Sequence, residues 1–171
     1  MFRYAIIMVL ALFISVLMIS TSSFSQSDQA GINTLKGLKG IGVSVEDVDA
    51  DAEADGLNKD KLLELITQKL KKSGVKVLTD LELRSISGQP KLVLNINSIK
   101  QPGPIYIFTA TMDLTQIVLL ERNQGLTAVS PTWTVLTTGG SLPEDLSTNV
   151  QASIGPMIDS FISDYKRANP K

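Results

Sequence analysis

The chain has 171 residues, a formal net charge of −1 at pH 7, and neither cysteine nor histidine. Without cysteine it can form no disulfide and carry out no thiol chemistry, and without histidine it lacks the commonest general base and transition-metal ligand. A charge so close to zero gives no electrostatic basis for binding nucleic acid, and the length is sufficient for one folded domain.

The amino terminus has the pattern of a secretory signal peptide. Arg3 supplies a positive charge, Ala5 to Ile19 is an apolar run interrupted by one serine, and Ser23-Phe24-Ser25 has the small-x-small form of a cleavage site. The alternative is an uncleaved anchor, but the run is shorter than the roughly 20 residues that a membrane-spanning helix needs. We therefore expect residues 1–25 to be a cleaved signal peptide and the mostly polar residues 26–37 to be a flexible leader.

The first part of the domain has the pattern of a β-α-β unit. Alternating apolar residues predict a strand over residues 39–47. Asn58 is a suitable N-cap for a helix over residues 59–73, whose leucines and isoleucine recur at helical spacing, and Gly74 is suited to end that helix. The short apolar run from Val75 to Leu78 follows directly and is predicted to be the second strand.

The middle of the chain predicts an antiparallel meander of three strands. Alternation indicates strands over residues 91–100, 105–120 and 128–138, separated by turn sequences rich in Pro, Gly and Asn. The second of these is long for a single strand, so we expect a bend or bulge near Gln116. Pro131 cannot donate a hydrogen bond to a neighbouring strand, which favours an edge position or a bulge for the third.

The carboxyl-terminal part predicts one long amphipathic helix over residues 142–167. Each of the two long helices has a single apolar stripe, and the simplest way to bury both stripes is against one face of a single sheet. The predicted fold class is therefore α+β with two layers. One mixed sheet of about five strands, made by the β-α-β unit and the meander, carries an N-terminal helix and a long C-terminal helix on one face. This single domain spans residues 38–171.

Several segments resemble a family of small exported bacterial proteins for which no activity or catalytic motif is established. The resemblance covers most of residues 38–171, in the order and spacing of the segments GLNKDKLLELITQKLKKSGVKVLTDLE, PKLVLNINSI, IYIFTATMDLTQIVLLER, PTWTV and DSFISDYKRANPK. More distantly, the order of elements resembles the periplasmic domain at the amino terminus of TolB and in the envelope assembly proteins CsgG and LptE. This second likeness concerns topology, so it implies a place in the cell envelope and carries over no functional residue.

The best candidate for a metal site is the acidic loop that precedes the first long helix. Asp51, Glu53 and Asp55 fall at positions 1, 3 and 5 of an EF-hand-like register. The register then fails, because position 9 is Lys59 and position 12, which needs a bidentate glutamate, is Leu62. The three carboxylates are therefore a weak calcium candidate, and the alternative is a solvated, mobile acidic loop.

Enzyme chemistry has little support in the sequence. Without histidine, a serine nucleophile would need a lysine or a carboxylate as its base, and Ser85 and Ser130 lie in no recognisable nucleophile elbow or S-x-x-K motif. Asp113 and Glu121 are the candidates for a pair of carboxylates that hydrolyses a glycoside. Alternation places Asp113 on the wetter face of its strand, where solvent contact or a salt bridge is the simpler role. We expect no catalytic activity.

One face of the predicted meander is rich in small polar groups. Trp133 and Tyr106 could line a ligand groove, but aromatic residues at such positions usually belong to the core. The polar residues that share the other parity are Asn95, Asn97, Thr109, Thr111, Thr115 and Thr134. If the helices cover the opposite face, this one is open, and it is either a docking surface for a protein or glycan or a plain solvated face.

The sequence therefore predicts an exported, non-catalytic binding or scaffolding module of the bacterial cell envelope, periplasmic or extracellular, with an envelope protein as its candidate partner. The alternative is a small-ligand or weak calcium-binding periplasmic protein, and a hydrolase is less favoured. No nucleic-acid partner and no cofactor are indicated. Contact with the membrane is expected only through the signal peptide, if it is not cleaved.

Overall fold

A computed structural model describes residues 28–170, so the predicted signal peptide lies outside the described residues. Within this range the four strands are β1 (Gly42–Val45), β2 (Lys91–Gln101), β3 (Ile105–Leu120) and β4 (Asn123–Ser141). The helices are α1 (Gln29–Asn33), α2 (Ala50–Ala54), α3 (Lys59–Lys72), α4 (Asp80–Arg84) and α5 (Leu146–Ala168), with a 3₁₀ turn at Pro143–Asp145. None of these described helices combines the length and the apolar character that crossing a membrane requires.

The strands lie in the order β1-β2-β3-β4, with β1 parallel to β2 and antiparallel pairing from β2 through β4. This confirms the α+β class, the single mixed sheet and the meander. The sheet has four strands in the described residues, not about five, because Val75 to Leu78 does not form a strand. Ile41 donates to the oxygen of Lys76 (3.0 Å) and accepts from the N–H of Leu78 (2.8 Å), which makes an isolated parallel bridge.

The segment from Val75 to Leu78 does not extend into a strand because helix α4 begins directly after it. Thr79 and Glu82 form a capping box, in which the Thr79 side chain accepts from the Glu82 N–H and the Glu82 carboxylate accepts from the Thr79 N–H at 2.9 Å. The backbone N–H of Thr79, together with the ammonium of Lys76, lowers the pKa of Glu82 to about 2. The chain therefore leaves the sheet at Thr79.

The long strand β3 has the alternation that its sequence predicts. The even-numbered residues from Tyr106 to Leu114 are buried, while the odd-numbered residues between them are half-buried or exposed. The expected bulge is confirmed, because the pairing with β4 shifts between Leu114 and Thr115 and leaves Thr132 without a partner. Because of this extra residue, the even-numbered residues of β3 pair with odd-numbered residues of β4 up to Leu114 and with even-numbered ones at Gln116 and Val118.

The buried residues of the sheet share one hydrophobic cluster with those of the two long helices. The side-chain oxygen of Asn58 accepts from the Lys61 N–H (2.9 Å) at the start of α3, as an N-cap does. Gly74 follows the end of α3 with φ +82°, a conformation that favours glycine. The members from the helices are Ala52 of α2, Leu62, Ile66 and Leu70 of α3, and Leu146, Val150, Ile154, Met157, Ile158, Phe161 and Ile162 of α5.

The segment assigned to a flexible leader, residues 26–37, contains α1 and two buried side chains, those of Ile32 and Leu35. Asn169, at the end of α5, donates to the Leu35 oxygen (2.9 Å) and accepts from the Gly37 N–H (2.8 Å). The described chain from residue 28 onward therefore packs with the domain. The polar composition of the segment concealed its two core residues.

Candidate functional site

The structure does not bring together the three carboxylates of the candidate calcium site. Asp51 and Glu53 are exposed in α2, and Asp55 caps the end of that helix in a half-buried position. Among residues 28–170, no three metal-ligating side chains are placed as a group that could hold an ion. The calcium site remains a prediction, and its strongest member, Asp55, already has other partners.

Asp55 connects α2 to the sheet. One of its carboxylate oxygens accepts from the Tyr106 hydroxyl at 2.6 Å and from the Lys100 ammonium at 2.9 Å. The hydrogen bond from Tyr106, followed by that from Lys100, lowers the pKa of Asp55. The same carboxylate raises the pKa of both Tyr106 and Lys100. The Lys100 ammonium, 2.9 Å from this carboxylate, already neutralises its charge and would repel a calcium ion, so the geometry disfavours Asp55 as a ligand.

A second carboxylate holds the acidic segment against β2. Asp49 accepts from the backbone N–H of Ser98 at 3.0 Å and from its hydroxyl at 2.8 Å. Because Asp49 precedes α2 and Asp55 follows it, the helix is attached to the sheet at both ends. These acidic residues therefore contribute to the fold as acceptors for groups of β2 and β3.

The residues considered for catalysis are not assembled into a reactive group. The Ser85 hydroxyl donates to the Leu81 carbonyl, and the Ser130 hydroxyl donates to the Pro131 carbonyl. Asp113 is half-buried and accepts from the Thr134 hydroxyl at 2.6 Å. Eight residues of extended chain, about 26 Å, separate Asp113 from Glu121 along the strand direction, far beyond the spacing of a glycosidase pair.

Trp133 and Tyr106 are both core residues, with side chains 1% exposed. The Trp133 indole donates its N–H to Asp164 of α5 at 3.0 Å and packs edge-on against Phe161 at 5.1 Å between ring centroids. Asp164 is itself 2% exposed and also accepts from the guanidinium of Arg167 at 2.9 Å. This buried carboxylate joins β4 to α5, and sequence reasoning missed it.

The opposite face of the sheet has an uncharged polar area, which we call the polar field. Its residues lie side by side across three strands, with Asn97 opposite Thr109 and Thr109 opposite Thr138. The Asn97 amide donates to the side-chain oxygen of Asn95 at 2.9 Å. The members of the polar field are Asn95, Asn97, Thr109, Thr111 and Thr138, all half-buried or exposed.

Next to the polar field, at the end of the sheet where β2 turns into β3, lies a group of exposed aliphatic side chains that we call the isoleucine patch. It consists of Ile99, Ile105 and Ile107, whose exposed fractions are 64%, 49% and 51%. Ile99 lies directly opposite Ile107 in the antiparallel pairing of β2 and β3. The alternation of the sequence placed Ile105 and Ile107 on this face, but the exposed face was expected to be polar. The patch is thus the feature that sequence reasoning underestimated.

Comparisons with protein-family models, with curated proteins and with solved structures found no match. The two resemblances inferred from the sequence therefore remain predictions. The function has to be argued from the surface of the chain itself. The open face also carries exposed aliphatic side chains at its other end, those of Ile117, Leu119 and Val129, and the isoleucine patch differs from them in adjoining the uncharged polar field.

Proposed function

We propose that this chain is an exported, non-catalytic binding or scaffolding module of the bacterial cell envelope, and that it binds a protein partner through the open face of its sheet. The observation that carries the proposal is the isoleucine patch, three aliphatic side chains that are each about half exposed or more beside an uncharged polar field. Exposed aliphatic groups that are adjacent in space mark interaction sites more often than scattered ones do.

The patch and the polar field together have the composition of a protein interface. Fully burying an isoleucine contributes ~1.5–3 kcal/mol, so covering the exposed parts of three contributes on the order of 2.5–5 kcal/mol. A micromolar affinity needs about 8 kcal/mol, and the rest would come from hydrogen bonds and contacts with the amides and hydroxyls of the polar field. An apolar centre beside neutral polar groups is the usual arrangement of such interfaces. Aliphatic area also favours a protein over a glycan, because it offers no hydrogen bond.

The cellular location in this proposal is supported by the sequence. The signal-peptide pattern at residues 1–25 supports export, and the resemblance to exported bacterial proteins and to periplasmic envelope domains supports the cell envelope. The absence of histidine and cysteine from the sequence supports a non-catalytic role. A broad hydrolase screen of the purified protein that found turnover would contradict this part of the proposal.

The experiment compares Ile107→Asp with Leu81→Asp as capture baits in chemical cross-linking in the bacterium that encodes the chain. Leu81 is the matched control, because it is 79% exposed but lies on α4, which packs near Lys91 at the opposite end of β2 from the isoleucine patch. Both changes are at exposed positions, so we expect each to alter the free energy of unfolding by no more than about 0.5 kcal/mol.

We expect the wild type and the Leu81 variant to cross-link the same discrete protein, and the Ile107 variant to lose it. The captured protein is then purified, and its Kd for each bait is measured by calorimetry, with an increase of at least tenfold expected for Ile107→Asp alone. Equal affinity for all three baits, or no discrete cross-linked protein in the wild type, would contradict the proposal.

A further inference from the structure

The edge strand β4 carries no charged residue along its whole length. It has 19 residues, from Asn123 to Ser141, and none is Asp, Glu, Lys or Arg. Edge strands of soluble proteins normally carry charges, prolines or bulges that prevent another strand from pairing with them. In β4 the proline and the bulge both lie at the Pro131 end, so the segment from Thr134 to Gly140 has no such protection.

The backbone groups on this edge can be assigned from the hydrogen bonds between β1 and β2. Glu46 donates its N–H to the oxygen of Leu94, so the even-numbered residues of β2 direct their backbone polar groups to β1. Alternate residues direct theirs to opposite sides. The odd-numbered residues of β2 therefore bond to β3, and the even-numbered residues of β3 bond to β4. Their partners in β4 include Val135 and Thr137.

The other parity of β4 consequently directs its N–H and C=O groups away from the sheet. These residues are Thr134, Leu136, Thr138 and Gly140. Among residues 28–170, no backbone hydrogen bond outside the strand ladders and no side-chain hydrogen bond reaches the backbone of this segment. Only the Thr132 carbonyl before it is occupied, by the hydroxyl of Thr34 at 3.1 Å.

We propose that the edge from Thr134 to Gly140 pairs antiparallel with the same edge of a second copy of this chain. The two sheets would then form one continuous sheet of eight described strands around a two-fold axis. Such an isologous contact places a segment against itself. In every antiparallel register of this segment only Thr, Val, Leu and Gly stand opposite one another, so no like charges meet.

A second copy fits this edge better than a charged peptide does. The edge supplies backbone donors and acceptors together with threonine side chains, which pair well across strands, and no charge that could select an acidic or basic partner. This inference does not depend on the proposed function. The dimer would bring two isoleucine patches into one assembly, but each patch would remain exposed on its open face.

The test measures the mass of the full chain, expressed with its own amino-terminal segment and purified in the form in which it accumulates, by analytical ultracentrifugation. We expect twice the mass of one chain at high micromolar concentration, dissociating on dilution. Thr138→Lys places a charge on the pairing edge, and Thr109→Lys is the matched control because Thr109 lies directly opposite Thr138 on the same face, one strand inward. We expect the first variant to be monomeric and the second to remain dimeric.

Each result decides between edge pairing and its alternatives. The proposal would be overturned if the wild type were monomeric or if both lysine variants were dimeric. It would also be overturned if both variants were monomeric, because that result would locate the contact on the open face. Circular dichroism verifies that both variants fold. If Thr138→Lys does not fold, Leu136→Lys replaces it, since Leu136 belongs to the same unpaired parity of β4 and its side chain is partly exposed. Ile107→Asp should stay dimeric, which separates this test from that of the proposed function.

Discussion

The contact between Trp133 and Asp164 is the strongest single test of how the long helix is held on the sheet. Both side chains are almost fully buried, and the indole N–H donates to the carboxylate at 3.0 Å. Asp164→Ala removes the acceptor and leaves the indole N–H buried without a partner. Losing a hydrogen bond to a charged group costs ~1.5–3 kcal/mol, and an unsatisfied buried donor adds ~1–3 kcal/mol. The better helix propensity of alanine returns ~0.5 kcal/mol.

We therefore expect Asp164→Ala to lower the free energy of unfolding by about 3 kcal/mol. For a domain of this size that corresponds to a decrease in Tm of about 10 °C. Urea unfolding followed by circular dichroism measures the change. Arg167→Ala is the control within the same group, because the Arg167 side chain is 55% exposed and its salt bridge should contribute no more than ~1 kcal/mol.

A double-mutant cycle identifies the origin of the loss. In a Trp133→Phe background the donor is already absent, so Asp164→Ala should cost at least 1 kcal/mol less than in the wild type. Equal costs in the two backgrounds would refute the reasoning, because they would show that the hydrogen bond to the indole contributes nothing. A loss below about 1 kcal/mol in the wild type would refute it as well.

Three further predictions follow from the local geometry. Millimolar calcium should leave Tm unchanged within error in both the wild type and Asp55→Asn, because the Asp55 carboxylate is already hydrogen-bonded to the sheet. A rise of several degrees in a melt with calcium, relative to EDTA, would establish a calcium site instead. The capping box of α4 lowers the pKa of Glu82 to about 2, so the ionised carboxylate stabilises the fold at pH values above its ordinary pKa of 4.5, and this contribution is lost as the pH falls towards 2. The Tm difference between the wild type and Glu82→Gln should therefore disappear over that pH range. A constant difference in Tm would contradict this assignment. Gly139→Ala should destabilise the protein by ~1–3 kcal/mol in urea unfolding, because its Cβ would lie 2.5 Å from the Phe108 ring, whereas Gly140→Ala, with no contact closer than 3.6 Å, should cost less.

The parts of the fold that the sequence predicted are those set by local pattern. The alternation in residues 105–120 predicted β3 with its bounds and its buried parity, because one buried face repeats every second residue. Asn58 and Gly74 predicted the start and end of α3, because capping depends on a few neighbouring backbone groups. A four-residue apolar run such as Val75 to Leu78 has no period long enough to distinguish a strand from a buried loop, and in place of the predicted fifth strand the described residues have one isolated parallel bridge between Ile41 and Val77.

The features that the sequence did not predict depend on contacts between distant residues. Asp164 lies among the apolar residues of α5, and its partner Trp133 is 31 residues away, so nothing local marks the carboxylate as buried. Ile32 and Leu35 lie in a polar segment and become core residues through the end of α5. The isoleucine patch was hidden for a related reason. Alternation shows which residues share a face of the sheet, but it does not show which face the helices cover. Whether these isoleucines are exposed can be decided only when the covered face is known.

The distribution of charge gives the proposed binding surfaces a common physical basis. Of the residues from Lys91 to Ser141 only five are charged, whereas residues 28–90 carry twenty. Charged side chains keep a surface solvated and oppose contact with another surface, because removing them from water is costly. The acidic groups around α2 and the lysines of α3 therefore keep the helical side of the domain in solvent. The isoleucine patch, the polar field and the β4 edge contain no charged residue, so any partner that binds by burying area, whether a second copy or another protein, is directed to this part of the sheet.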